Sequence, residues 1–213
     1  MRFETQNIFF ASDYHLGHHN VIKYDNRPFK DVDEMHGVLL KNWNETVGQD
    51  DIVFYLGDLS FGKSDLAKWF VHSLNGKIHF ILGNHDKFKD INKLGRFETI
   101  HPYGCEIWIK DEESLNHLRL DGKSSTRGSD GYQQIILSHY PILSWNRQHH
   151  GSWHLHGHSH QSITKSDAGK EYYKRKVIDV GCNGWDYTPI SYERVKEVMS
   201  KREGSKSRID HHG

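Results

Sequence analysis

The chain reads as an α/β protein: a four-layer αββα sandwich, with two mixed β-sheets packed face to face between outer helices. Three observations predict this. Apolar runs rich in β-branched and aromatic residues at 7–11, 51–56 and 77–82 alternate with helix-spaced segments, a β-α-β-α-β order suited to a parallel core. The following half, from 97 to 180, carries mostly strand-like runs, which supplies a second sheet. A length of 213 residues is enough for one domain with a sizeable interior.

Each element has its own signal. Between the first two strands, Met35, Val38, Leu39 and Trp43 recur at helical spacing, and Asp31 suits the N-cap, so a helix is expected over 31–47. Leu66, Trp69, Phe70 and Leu74 repeat the pattern over 64–74, with Ser64 as cap. A short helix is expected at 90–94 and a closing one at 192–201. Further strands are expected at 97–101, 105–110, 115–120, 134–137, 153–155 and 176–180. The polar, glycine-rich segment 122–131 reads as a solvated hairpin tip. No repeat or interdomain linker is visible, so residues 1–201 are expected to form one domain, with 202–213 as a flexible charged tail.

Composition narrows the function classes. Lysine plus arginine and aspartate plus glutamate both total 28, so the chain lacks the basic surplus of proteins that grip long DNA. No apolar stretch nears the roughly 20 residues that span a bilayer. The start turns polar at once, unlike a secretory leader, and Cys105 and Cys182 make no disulfide framework. A cytoplasmic setting is therefore expected.

Five short patches carry the chemistry: Asp13-Tyr14-His15, Gly57-Asp58, Gly83-Asn84-His85-Asp86, Ser138-His139 and Gly157-His158-Ser159-His160. Each follows an apolar run, so strands would deliver these side chains at their carboxyl ends, where open α/β sheets place their crevices. Gly57, Gly83 and Gly157 let the backbone approach closely. Imidazole nitrogen with carboxylate and amide oxygen, and no thiolate, suits Mn, Fe, Zn or Ni rather than Ca or Cu(I). Two divalent ions would carry four charges, of which Asp13 and Asp58 offset two. The remaining positive centre matches an anionic phosphoryl group, and paired metal ions mainly serve attack on phosphate esters.

The ordered patches resemble the signature of the calcineurin-like metallophosphoesterases: D-x-H, G-D, G-N-H-[DE], H and G-H-x-H. They span residues 13 to 160. Each block is weak alone; the ordered set is specific. The flanks Asn26-Arg27-Pro28-Phe29 and His139-Tyr140-Pro141, with residues 179–191, resemble the small bacterial and phage members. The resemblance implies one metal held by Asp13, His15, Asp58 and His160, and a second held by Asp58, Asn84, His139 and His158. Manganese is the first expectation. It also implies a hydroxide shared by the metals as attacking group, and His85 at the departing oxygen, with Asp86 behind it. His18, Arg27 and Trp145 are candidate substrate contacts, while His154 and His156 read as structural.

Departures narrow the substrate. Protein serine/threonine phosphatases continue their G-D with V-D-R-G, whereas Leu59-Ser60-Phe61-Gly62 follows here, and they carry Glu in place of Asp86. A hydrolase of small phosphodiesters or phosphomonoesters remains, cyclic or linear nucleotides included. The alternatives are processing of nucleic-acid ends and a catalytically silent binding scaffold.

Overall fold

The computed structural model describes residues 1–4, 7–62, 64–111 and 131–202. Ten strands and six α-helices are present among them. The strands are β1 (Arg2–Phe3), β2 (Ile8–Ala11), β3 (Ile52–Tyr55), β4 (Lys77–Ile81), β5 (Thr99–His101), β6 (Cys105–Lys110), β7 (Tyr132–Leu137), β8 (Trp153–His156), β9 (Val177–Asp179) and β10 (Ile190–Ser191). The helices are α1 (His19–Tyr24), α2 (Val32–Thr46), α3 (Ser64–His72), α4 (Phe88–Lys93), α5 (Asp167–Tyr172) and α6 (Tyr192–Ser200).

The strands form two five-stranded sheets, ordered β10-β2-β3-β4-β5 and β1-β6-β7-β8-β9. In the first, β2 to β5 run parallel and β10 pairs antiparallel with β2. In the second, β7, β8 and β9 run parallel, β6 pairs antiparallel with β7, and β1 lies parallel to β6. Both sheets are mixed, as the sequence predicts. Each terminal segment crosses over: β1 joins the later sheet and β10 the earlier one.

Side-chain alternation along the strands decides which layer each residue fills. Ile8 and Phe10 of β2, with Ile52 and Phe54 of β3, face Ile107, Ile135, Leu137 and Leu155 of the opposite sheet. Phe9, Ala11, Val53 and Tyr55 point the other way, onto Met35, Leu39 and Trp43 of α2 and Phe70 of α3. Burial of side chains this size contributes about 1.5–3 kcal/mol each. The second sheet is covered more thinly, by Trp145 and Tyr172 over Ile136 and Val177.

The cap on α2 forms as expected. The Asp31 carboxylate accepts from the Glu34 amide at 2.9 Å, and Glu34 accepts from the Lys30 amide at 2.7 Å. The closing helix and eight of the nine expected strands also form, and 105–110 coincides with β6. The short elements α1, α5, β1 and β10 carry too few residues to show a period. The expected strand 115–120, most of the loop 122–131 and residues 203–213 lie outside the described residues.

Candidate metal centre

Strand direction brings the five patches together. Asp13 and His15 leave the end of β2, Asp58 the end of β3, and Asn84, His85 and Asp86 the end of β4. His139 follows β7, and His158 and His160 follow β8. The exits are not relaxed. Asp13, His15, Asp58, His158 and His160 all have φ between 46° and 66°, the left-handed region that side chains with a Cβ normally avoid. Each such residue costs on the order of 1 kcal/mol or more and persists because its surroundings over-determine it.

Backbone hydrogen bonds supply that determination. The Asp13 amide donates to Gly57 O at 3.0 Å, the His15 amide to Asp58 O at 3.1 Å, and the Gly157 amide to His139 O at 3.0 Å. The His158 amide donates to both Asp13 carboxylate oxygens at 3.0–3.1 Å, and the His85 amide to Asp58 Oδ1 at 2.9 Å. Two glycines are obligatory. A Cβ on Gly57, which sits at φ 95°, would fall 2.6 Å from the Gly83 nitrogen, and one on Gly157 would fall 2.1 Å from Ser12 Oγ.

The converging atoms fit a metal pair. Asp13, His15 and His160 form one set whose donor atoms lie within 4.8 Å of one another, and Asp58, His139 and His158 form another. The nitrogen His15 Nε2 stands 3.1 Å from His160 Nε2 and 3.7 Å from Asp58 Oδ2. Asn84 Oδ1 lies 2.9 Å from His139 Nε2 and 2.8 Å from His158 Nδ1. Asp58 Oδ2 is 3.5 Å from His139 Nε2, so one carboxylate faces both halves.

Tautomers sharpen the fit. His139 Nδ1 is 2.7 Å from Leu56 O, a carbonyl that can only accept, so this nitrogen carries a hydrogen. Its Nε2 then points a lone pair at the oxygens of Asp58 and Asn84. His160 Nδ1 lies 2.6 Å from Asp25 Oδ2, which fixes that ring in the same way. Lone pairs meeting acceptor oxygens require a positive charge between them, which a proton or a divalent ion supplies.

Electrostatics show the same demand. Burial opposes the charge on Asp58, yet His139, the His85 amide and His15 together outweigh burial and lower the pKa to about 2. Burial likewise disfavours charge on His160, but hydrogen bonds to Asp13 and Asp25 push its pKa up to about 10. For His15 burial wins over the nearby carboxylates and lowers the pKa to about 4. Without metal, these carboxylates are balanced by protonated imidazole.

Several candidates serve other ends than expected. Arg27 does not face solvent as a phosphate clamp. Its guanidinium is buried and donates to Asp13 O at 2.9 Å, Tyr14 O at 3.0 Å and Asp25 Oδ2 at 3.1 Å. Trp145 is no stacking surface: it packs against Ile136 and Tyr172, and its indole N–H donates to Ser152 O at 3.1 Å. Asp86 holds loops together rather than the His85 ring, accepting from the amides of Asp58 at 2.7 Å, Gly83 at 2.9 Å and Leu59 at 3.3 Å. His18 does reach the mouth, its ring 6.0 Å from His15 and 4.6 Å from Phe61. His85 is half-exposed there, with Nε2 4.0 Å from Asp58 Oδ2.

Sequence reasoning missed Asp25. Its only mark is its place two residues before Arg27, and its partner His160 is 135 residues away. A cleft of about 380 Å³ opens beside this pair, lined by Tyr24, Asp25, Asn26, His158, Ser159, His160, Ser162 and Lys165. Another cleft of about 300 Å³, between Arg2, Trp108 and Arg147, contains none of the candidate ligands.

Two facing mixed sheets, flanked by helices and bearing these His/Asp triads at strand ends, define a calcineurin-like metallophosphoesterase-type fold with a site able to coordinate one or two divalent ions. The chain is 34% identical over 202 residues to uncharacterized protein MJ1445 of Methanocaldococcus jannaschii, covering 92% of this chain and 93% of that protein. It belongs to the same family as that protein. The gene 66 proteins of Mycobacterium phages L5 and D29 are each 29% identical, over 211 and 214 residues, covering 91% of this chain and 94% and 96% of theirs. The crystal structure of AQ665, a protein of unknown function from Aquifex aeolicus, shares the fold, with a TM-score of 0.66 at 23% identity over 91% of this chain and 100% of that one. No protein-family model matches the chain. No helix among the described residues is long and apolar enough to cross a membrane.

Proposed function

We propose that the chain is a dinuclear metal-dependent phosphoesterase of the small bacterial and phage type, acting on small phosphodiesters or phosphomonoesters, nucleotides included. One observation carries the reading. Ring nitrogens of His139 and His160, each left with a lone pair by a hydrogen bond on the far side of its ring, converge with the carboxylates of Asp13 and Asp58.

Asp13, His15, Asp58 and His160 would hold one divalent ion, and Asp58, Asn84, His139 and His158 would hold the other. When bound, the pair supplies an activated water and an electrophilic clamp on a phosphoryl oxygen. Manganese is our first choice, with Fe, Zn or Ni compatible with the same donors. The neutral Asn84 would coordinate without cancelling positive charge, which would preserve attraction for an anionic ester.

His85 acts on the leaving side. Water adds to phosphorus and loses a proton to solvent, the bond to the departing oxygen breaks, and the His85 imidazolium delivers its proton to that oxygen and is reprotonated from solvent. The half-exposed ring at the mouth supports this role, and the hydrogen bond from the His85 backbone amide to Asp58 Oδ1 keeps it beside the centre. Asp86 contributes by tying the β3 and β4 exits together. The cleft beside His158 and His160 is of a size for a small ester.

Metal-stripped protein should hydrolyse bis(p-nitrophenyl) phosphate only after manganese is added, and a chelator should stop it. Turnover that ignores both additions, or none with any of the four metals, overturns the proposal. Parallel assays on cyclic nucleotides, mononucleotides and oligonucleotides separate a small-ester enzyme from a processor of nucleic-acid ends.

A further inference from the structure

We infer that Asp25 and Arg27 form a positioning pair that sets the metal affinity of the Asp13–His15–His160 half of the centre, making the two halves unequal. The inference rests on the reading of the site as a two-metal centre. It assigns residues that the ligand signature leaves out.

The pair is built into the fold. Asp25 caps the C-terminus of α1, its amide donating to Val21 O at 3.0 Å, and Asn26 turns the chain at φ 51°. The Arg27 amide then donates back to Ile22 O at 2.8 Å, so both side chains project from one tight turn. Asp25 Oδ2 accepts from His160 Nδ1 at 2.6 Å and from Arg27 Nε and a terminal nitrogen at 3.3 and 3.1 Å. The same guanidinium binds the backbone carbonyls of Asp13 and Tyr14. One arginine therefore fixes the distance between the loop bearing Asp13 and the ring of His160.

Chemistry follows from what stands behind each imidazole. A carboxylate behind a ligating histidine fixes its tautomer and makes the ligating nitrogen more basic. His160 has such a carboxylate, and the buried Arg27 guanidinium pairs with that carboxylate at 3.1 Å. In the other half, His139 is backed by the neutral carbonyl of Leu56, and His158 meets Asn84 through Nδ1. Only the His160 half has an anionic partner behind its ring among these contacts. That half should hold its ion more tightly.

The test uses chelator-stripped protein titrated with Co²⁺, read by visible absorption and by bound metal after dialysis. Wild type should take two equivalents. Asp25→Asn, which keeps shape but loses charge, should weaken one of them by about 10–100-fold. His139→Gln combined with Asp25→Asn should then lose the remaining equivalent. Arg27→Lys, which keeps charge but loses the fork, should weaken the same equivalent less. Melting of the metal-free proteins controls for folding; if Asp25→Asn does not fold, Asp25→Glu replaces it, with a smaller shift expected in the same equivalent.

Two equal equivalents in wild type that Asp25→Asn leaves unchanged overturn the inference while sparing the two-metal reading. Equal weakening of both equivalents also overturns it, since that marks a general structural effect. A wild type that binds no Co²⁺ removes the two-metal reading itself, and the inference with it.

Discussion

Two pairs of histidines sit at the same spacing on β8 and its exit, and they do opposite things. His154 and His156 lie within the strand, where alternation points both rings away from the sheet interface that Leu155 fills. His154 Nδ1 bonds Ile136 O at 3.0 Å and its Nε2 accepts from the Ile142 amide at 3.1 Å. His156 bonds Gly157 O at 2.8 Å and the Tyr173 hydroxyl at 3.0 Å. Both nitrogens of each ring are spent, so neither ring can bind an ion. His158 and His160 follow at φ 66° and 46°, leave the strand geometry, and turn ring nitrogens toward Asn84, His15 and Asp13. What separates a ligand from a core histidine here is backbone conformation and the partner behind the ring, not residue type or spacing.

The comparison can be broken by substitution, starting with the largest effect. Asp58→Ala removes the carboxylate that faces both halves and should abolish metal-dependent turnover; full activity in this variant would refute the assignment. His85→Ala should cost about 10²–10⁴-fold on alkyl or nucleoside esters, whose leaving oxygens need a proton, and far less on p-nitrophenyl esters. Equal losses on both substrates would deny His85 a leaving-group role. Gly57→Ala places a Cβ 2.7 Å from His139 Nδ1 and should lower stability by about 1–3 kcal/mol while weakening metal retention. A variant as stable and metal-loaded as wild type would show that the β3 exit is not tightly packed.

The smallest effect at neutral pH falls on the strand side of the comparison. Burial, with His156 adding to it, lowers the His154 pKa from 6.5 to about 3. Below pH 6.5 the unfolded chain takes up a proton that the folded ring refuses, so stability should fall as pH drops from about 6.5 toward 3. In chelator, wild type should therefore lose about 1.4 kcal/mol per pH unit more than His154→Gln across that window. His154→Gln should keep its bound metal at neutral pH. Parallel pH profiles for the two proteins would contradict the structural role.

Much of this was legible in the linear chain, for reasons that also explain the rest. β2 and β3 show as apolar runs because strands buried on both faces need little polar alternation. α2 shows through Met35, Leu39 and Trp43, which all reach the core. The patches at strand ends were legible because close backbone approach leaves glycine beside the ligand. Asp25 was not, since a contact across 135 residues leaves no local pattern. Arg27 and Trp145 were read as facing the substrate because residue type tells what a side chain can bind, not which way it points. Both are buried, and their donors are taken by backbone carbonyls and, for Arg27, also by the Asp25 carboxylate.

Anomalous diffraction from crystals grown with manganese tests the central claim most directly. Two peaks per chain, one among Asp13, His15 and His160, the other among Asn84, His139 and His158, with Asp58 touching both, are the expected result. A single peak, or a pair held by other residues, would contradict it.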